Sequence, residues 1–114
     1  MPKRHERSER TLRRSAPIFA ALGDQTRLAL IARLGGGSPL SISRLTQGLA
    51  LTRQAITKHL RVLENAGLVR GVRHGRESHF ELEPEALDDA RSALESISRQ
   101  WDDALARLKS FVER

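Results

Sequence analysis

Five residues in one short stretch carry side chains suited to reading a nucleic acid: Arg53, Gln54, Thr57, Lys58 and Arg61. Arginine can pair two hydrogen bonds onto a guanine edge and glutamine onto an adenine edge, threonine can meet a base or a thymine methyl, and Lys58 and Arg61 can reach phosphates. Thr52 stands ahead of them as a helix cap. His59 adjoins both this polar set and the apolar residues Ile56, Leu60 and Leu63, so it suits a structural hydrogen bond as well as a DNA contact. A second set, Arg73, His74 and Arg76, flanks Gly75 and can meet phosphate or the minor groove from a hairpin tip. Each charge alone reads equally as solvated surface; the sets carry more than their members.

Other chemistries find little material. The chain has no cysteine, which excludes disulfides, thiolate metal sites, thiol switches and cysteine nucleophiles. His5 lies near the start, and the odd separation of His74 and His79 places them on opposite faces of a strand unless the turn redirects them. The neighbours Asp88 and Asp89, or Asp102 and Asp103, do not converge on a helix as a cation cage requires. Gly35, Gly36, Gly37 and Ser38 lack the spacing and the lysine of a phosphate loop and read as a turn before Pro39. No nucleophile motif or placed acid pair supports catalysis. The expectation is a protein that is not an enzyme, with no metal and no cofactor.

The 114 residues suffice for one domain, and 39% hydrophobic with only 4% aromatic content makes its core aliphatic and modest, which favours oligomerisation. The net charge of +6 favours anionic partners, and it is unevenly placed. Residues 1–17 and 41–82 are each net +4, whereas 83–114 is net −3. The basic surplus therefore lies with the candidate readers and the acidic surplus with a separate element. The start has no secretory apolar stretch, and no run reaches the ~20 apolar residues of a membrane span. A cytoplasmic protein with no membrane partner is expected. Residues 1–10 read as a disordered basic tail, and 11–114 as the domain.

The elements that must position the two sets follow from caps and periodicity. Helical patterning begins near Thr11, with Leu12, Ala16, Phe19, Ala20 and Leu22 as an apolar stripe despite Pro17. After Gly23, Asp24 caps a helix whose buried face is expected at Leu28, Ile31, Ala32 and Leu34. Ser41 caps a short helix through Leu45, a tight connection follows Gly48, and Thr52 caps a helix running to about Asn65, with Gly67 beyond it. Leu68, Val69 and Val72 predict a strand, and Ser78, Phe80 and Leu82 its returning partner around His74 and Gly75.

From Pro84 to Arg114 neither proline nor glycine interrupts the chain. Leu87, Ala90, Leu94, Ile97, Trp101, Ala104, Leu108 and Phe111 alternate at separations of three and four, an a/d heptad register over 84–113. A helix of about 29 residues reaches about 44 Å, too long for one small core to cover. The excess stripe predicts a partner helix, with Trp101 as an anchor in a homodimer interface.

The run Ala21, Leu22, Gly23, Asp24, Gln25, Thr26 and Arg27, then Thr57, Lys58, His59 and Leu60, then Leu63 to Val69, and finally His74, Gly75 and Arg76 resemble the ArsR family of bacterial winged helix-turn-helix transcriptional regulators. The likeness spans about residues 11–113. It implies a mainly α fold with a small β-hairpin, a winged helix-turn-helix whose long terminal helices pair in a homodimer. It further implies two recognition helices presented to a partly palindromic operator in double-stranded DNA, usually repressing transcription. DNA-facing roles carry over to Thr52, Arg53, Gln54, Thr57, Lys58 and His59, with wing contacts at Arg73 and Arg76. Metal sensing does not carry over: the segment Ser41 to Leu45 has no cysteine where many metal-responsive relatives have ligands, and the terminal helix has no histidine. Alternatives are a winged-helix protein-interaction module, an activator, or a repressor relieved by a small molecule, whose inducer the residues do not identify.

Overall fold

The computed structural model describes residues 4–113, and the side chains of residues 9–113. Helix α1 (Arg4–Leu22) leads through Gly23 to α2 (Gln25–Leu34), a two-residue strand β1 (Leu40–Ser41), and the short α3 (Ile42–Thr46). Helix α4 (Arg53–Asn65), the hairpin strands β2 (Val69–His74) and β3 (Glu77–Leu82), and the long α5 (Pro84–Val112) follow. The architecture is mainly helical with one small antiparallel sheet.

Local signals place the helix starts. Asp24 Oδ2 accepts from the Arg27 backbone N–H at 3.0 Å, Ser41 Oγ from that of Arg44 at 3.2 Å, and Thr52 Oγ1 from that of Ala55 at 3.0 Å. Each cap pairs one N–H that its helix leaves without an internal acceptor. Pro84 opens α5, where a missing N–H costs nothing. The exit from α4 is sharp: Gly67 sits at φ 78°, and the Leu68 N–H donates to the Leu63 carbonyl at 3.0 Å. A side chain at Gly67 would be strained in that left-handed conformation.

Seven side chains, from Leu30, Leu34, Leu45, Ile56, Leu60, Leu63 and Leu68, are almost wholly buried and hold α2, α3, α4 and the hairpin together. The sheet order is β1-β3-β2, with Leu40 opposite Phe80 and Gly71 opposite Phe80 on the other edge. Phe80 faces the helical core and Leu82 packs against it, the shared face that their period-two spacing predicts. Strand β1 was not expected: two residues after a turn carry no periodic signal, and only the free edge of β3 defines them.

Three other expectations shift. The residues assigned to a tail divide: 1–3 lie outside the described residues, and 4–10 form the first turns of α1. Arginine, glutamate and serine without proline or glycine do not stop a helix established further on. Within α1 the buried face is Ser15, Ile18 and Ala21, while Ala16 and Ala20 are exposed. Pro17 also lies on the exposed side, where water can serve the carbonyl that its missing N–H leaves free. In α2 the buried pair is Leu30 and Leu34, and Leu28 is exposed. Leu34 is buried and Ile31 packs on the core as expected, so the face is turned by about one residue toward Leu30 and away from Leu28.

Helix α5 changes character along its length. It packs along α1, and its buried residues are the small Ala90, Ala93 and Ser96, while α1 buries the equally small Ser15 and Ala21 beside Ile18. From Ser98 to Glu113 every residue is exposed.

Candidate nucleic-acid interface

Helix α4 presents three longitudinal faces. Ile56, Leu60 and Leu63 are fully buried and fix its rotation on the core. Arg53, Gln54, Lys58 and Arg61 are exposed on the remainder, with Thr52 exposed at the cap and Thr57 half-buried. At about 3.6 residues per turn, Arg53, Thr57, Arg61 and Glu64 share the flank toward the hairpin, and Gln54, Lys58 and Asn65 share the outward flank. The Thr57 hydroxyl donates to the Arg53 carbonyl at 2.8 Å, so toward any ligand it offers its methyl and an oxygen lone pair.

The turn before α4 is braced from α2. Arg33 donates one guanidinium N–H to the Leu45 carbonyl at 2.8 Å and makes another contact to the Gln47 carbonyl at 2.5 Å. Those carbonyls end a five-residue helix and need donors. Gly48, at φ 77°, then reverses the chain toward α4. Sequence reasoning missed Arg33, because its acceptors lie 12 and 14 residues away and no local pattern marks them.

His59 occupies the third flank, toward the start of α2, and is half-buried. Its Nδ1 lies 3.2 Å from an Arg27 guanidinium nitrogen and 3.8 Å from Asp24 Oδ2. Arg27 also donates to the Ala21 carbonyl, joining the end of α1, the cap of α2 and the middle of α4. The structure thus realises the intramolecular hydrogen bond for His59. The Arg27 backbone N–H, aided by the Arg27 and His59 charges, holds the Asp24 carboxyl below its ordinary value of 3.8.

The wing is a two-residue turn: His74 pairs with Glu77, and Gly75 takes φ 61° at the first turn position. Arg73, His74 and Arg76 are all exposed there. His74 and His79 share a face, their rings stacked with centroids 4.6 Å apart. The odd separation misleads because the chain reverses between them, and residues 72, 74, 77 and 79 fall on one side of the hairpin. His79 Nε2 is 3.2 Å from Glu77 Oε2. Among the described residues no group of three His, Cys, Asp or Glu side chains could hold a metal ion.

Some cations are held within the chain, whereas Arg10, Arg13, Arg14, Arg44, Arg99 and Arg107 are exposed and outside the ion pairs of the described residues. Arg70 is held by Glu81 and Glu83, which raise its pKa further, and Arg91 and Lys109 have acidic neighbours along α5. Among the described residues no ion pair involves Arg53, Lys58, Arg61, Arg73 or Arg76. These five exposed, unpaired charges share α4 and the wing.

The expected interface residues of α5 do not behave alike. Ala90 is buried within the chain, Leu87 packs on the same core and Ile97 is half-buried. Leu94, Trp101, Ala104, Leu108 and Phe111 are exposed, and so are Leu105 and Val112, which the a/d register omits. Among the described residues no helix is long and apolar enough to cross a membrane.

Residues 22–72 match a family model described as a helix-turn-helix domain. The chain is similar to the HTH-type transcriptional regulator Rv2034 of Mycobacterium tuberculosis, 33% identical over 103 residues, which cover 90% of this chain and 92% of that protein. A solved ArsR-like transcriptional regulator from Rhodococcus sp. RHA1 superimposes with TM-score 0.72 and 39% identity, covering 89% of this chain and 94% of the other. The HTH-type transcriptional repressor SmtB of Mycobacterium tuberculosis is 28% identical over 88 residues, 77% of this chain and 63% of its own length.

Proposed function

The chain belongs to the ArsR family of winged helix-turn-helix DNA-binding transcriptional regulators, and from that premise we propose that it acts as a homodimeric repressor of a partly palindromic promoter operator. The observation that supports this is the clustering of exposed cations outside the ion pairs on two neighbouring elements: Arg53, Lys58 and Arg61 on the exposed flanks of α4, and Arg73 and Arg76 on the wing. Free guanidinium and ammonium groups displace counterions from phosphates, whereas a cation already satisfied by a carboxylate gains less.

In this reading α4 enters the major groove and the hairpin lies against the adjacent strand. Thr52 fixes the first turn of α4, and Gln54, Thr57 and Lys58 present groups to the bases. His59 serves from behind, tying the helix to Arg27 and Asp24. Two copies joined through Leu94, Trp101, Ala104, Leu108 and Phe111 supply two such faces, so the operator repeats its half-site with opposite sense. Occupancy of a promoter by the pair excludes the transcription machinery, and the name of the similar repressor SmtB supports that direction.

Mapping the genomic DNA bound by the protein tests the proposal. Recovery of a motif with two inverted half-sites in promoters that become more active when the protein is removed is the expected result. Equal affinity for a recovered fragment and its scrambled control over a range of salt would overturn it, as would a stable complex with another protein and no DNA preference.

A further inference from the structure

One tie between α4 and the helices behind it runs through a single imidazole nitrogen. His59 Nδ1 lies 3.2 Å from an Arg27 guanidinium nitrogen, and Arg27 Nε donates in turn to the Ala21 carbonyl at the end of α1. A guanidinium has donors and no acceptor, and it stays charged wherever proteins fold. The contact is a hydrogen bond only when Nδ1 is unprotonated, so the geometry requires a neutral His59 with its proton on Nε2.

A second group stands by the same atom. Asp24 Oδ2 is 3.8 Å from His59 Nδ1, beyond hydrogen-bond distance. A proton added at Nδ1 points a positive N–H at the guanidinium of Arg27 across that 3.2 Å contact, on a half-buried ring. The same proton makes the ring a donor to the carboxylate, and a shift of about 1 Å reaches the ~2.8 Å of a charge-assisted bond. The Arg27 backbone N–H holds the Asp24 carboxyl below its ordinary value, so this acceptor is ionised throughout the range in which imidazoles titrate. Among the described residues the hydrogen bonds and ion pairs give the His59 side chain no further charged partner. Helix α1 contributes only the Ala21 carbonyl through Arg27, and along α4 the residues one turn away, Ala55, Ile56, Val62 and Leu63, are uncharged. Glu64 is turned to the hairpin, where it accepts from the Gly71 N–H.

Arg27 cannot follow the ring, because it is fastened to α1 by its side chain and to Asp24 by its backbone N–H at 3.0 Å. We propose, resting on the DNA-binding reading of α4, that His59 is a proton-sensing positioning residue. Neutral, it holds α4 on Arg27 with Gln54 and Lys58 in place against the bases; protonated, it exchanges Arg27 for Asp24 and carries them out of register. Base-edge hydrogen bonds hold over only a few tenths of an ångström, so a displacement of about 1 Å breaks them. His74 and His79 on the wing also gain charge in acid, but that charge meets phosphates of any sequence and strengthens all DNA alike. Acid therefore costs the protein its discrimination, not its general hold on DNA.

The test is the ratio of affinities for a recovered operator and a scrambled duplex between about pH 8 and about pH 5, the span of imidazole titration, at constant ionic strength. Circular dichroism at each pH reports folding. The ratio should fall about tenfold, the loss of one base contact. His59→Asn offers Arg27 an amide oxygen and cannot charge, so its ratio should stay flat with pH. Asp24→Asn keeps the helix cap but removes the anion that favours the imidazolium, so the midpoint of the fall should move to lower pH. The H74Q/H79Q pair should retain the fall while losing the acid gain for scrambled DNA. A wild-type ratio that does not change with pH overturns the proposal, as does an equal fall in H59N, an unmoved midpoint in D24N, or a fall confined to pH values at which the protein unfolds. Absence of operator preference even at about pH 8 overturns the DNA-binding reading itself, which a preference insensitive to pH leaves standing.

Discussion

Replacing Trp101 with alanine probes the assembly directly, because Trp101 is the sole tryptophan and lies 65% exposed on the bare half of α5. A tryptophan side chain can bury roughly 200 Å², so about 130 Å² remains to be covered by a partner. At about 25 cal/mol per Å² that is about 3 kcal/mol per copy, and about 6 kcal/mol for the two copies of a symmetric pair. Covering only half of the surface leaves about 3 kcal/mol, equivalent to a roughly hundredfold rise in the dissociation constant. Sedimentation equilibrium on wild type and Trp101→Ala measures that change. The wild-type indole adds an internal check: dilution should shift its emission to the red as the pair separates. A wild type that stays monomeric at DNA-binding concentrations, or a variant with unchanged dissociation, would refute the assignment of this stripe to a dimer.

Thr52→Ala removes the acceptor for the Ala55 N–H and should cost about 1 kcal/mol, a fall in Tm of about 4 °C by circular dichroism; Thr52→Ser should restore it. Asp24 has a carboxyl pKa depressed by folding, so its contribution is full above 3.8 and disappears as pH falls through the lower folded value. Acid unfolding of Asp24→Asn should accordingly be flatter below pH 3.8 than that of wild type, and identical acid limbs would remove Asp24 from the account. Arg70→Ala should leave the salt dependence of DNA binding unchanged, since Glu81 and Glu83 already hold Arg70; a slope reduced as much as in Arg73→Ala would show that the ion pairs open on DNA.

Local chemistry made much of the fold legible. Asp24, Ser41, Thr52 and Pro84 mark helix starts by side-chain type, and Ile56, Leu60 and Leu63 set the phase of α4 because one side of that helix is charged. Where the contrast is weaker the phase is only partly right: in α2 Leu34 and Ile31 meet the core as expected but Leu28 does not, and in α1 the polar Ser15 is buried where an apolar stripe was expected at Ala16 and Ala20. Long-range partners leave no local trace. Arg27 meets a histidine 32 residues away, and only the tertiary fold distinguishes that from a surface cation. The α5 heptads are visible in the sequence, but not that Leu87 and Ala90 belong to the monomer while Trp101 and Leu108 remain bare.

The outward flank of α4 has a consequence for how such a protein can change. Gln54, Lys58 and Asn65 are exposed, while the burial and bracing of the helix rest on other residues: Ile56, Leu60, Leu63 and His59. In the proposed function, stability and recognition are then written on different sides of the same thirteen residues. Substitutions along Gln54 and Lys58 therefore face little opposition from folding, and a duplicated copy of the gene could acquire a new operator one side chain at a time without passing through an unstable intermediate.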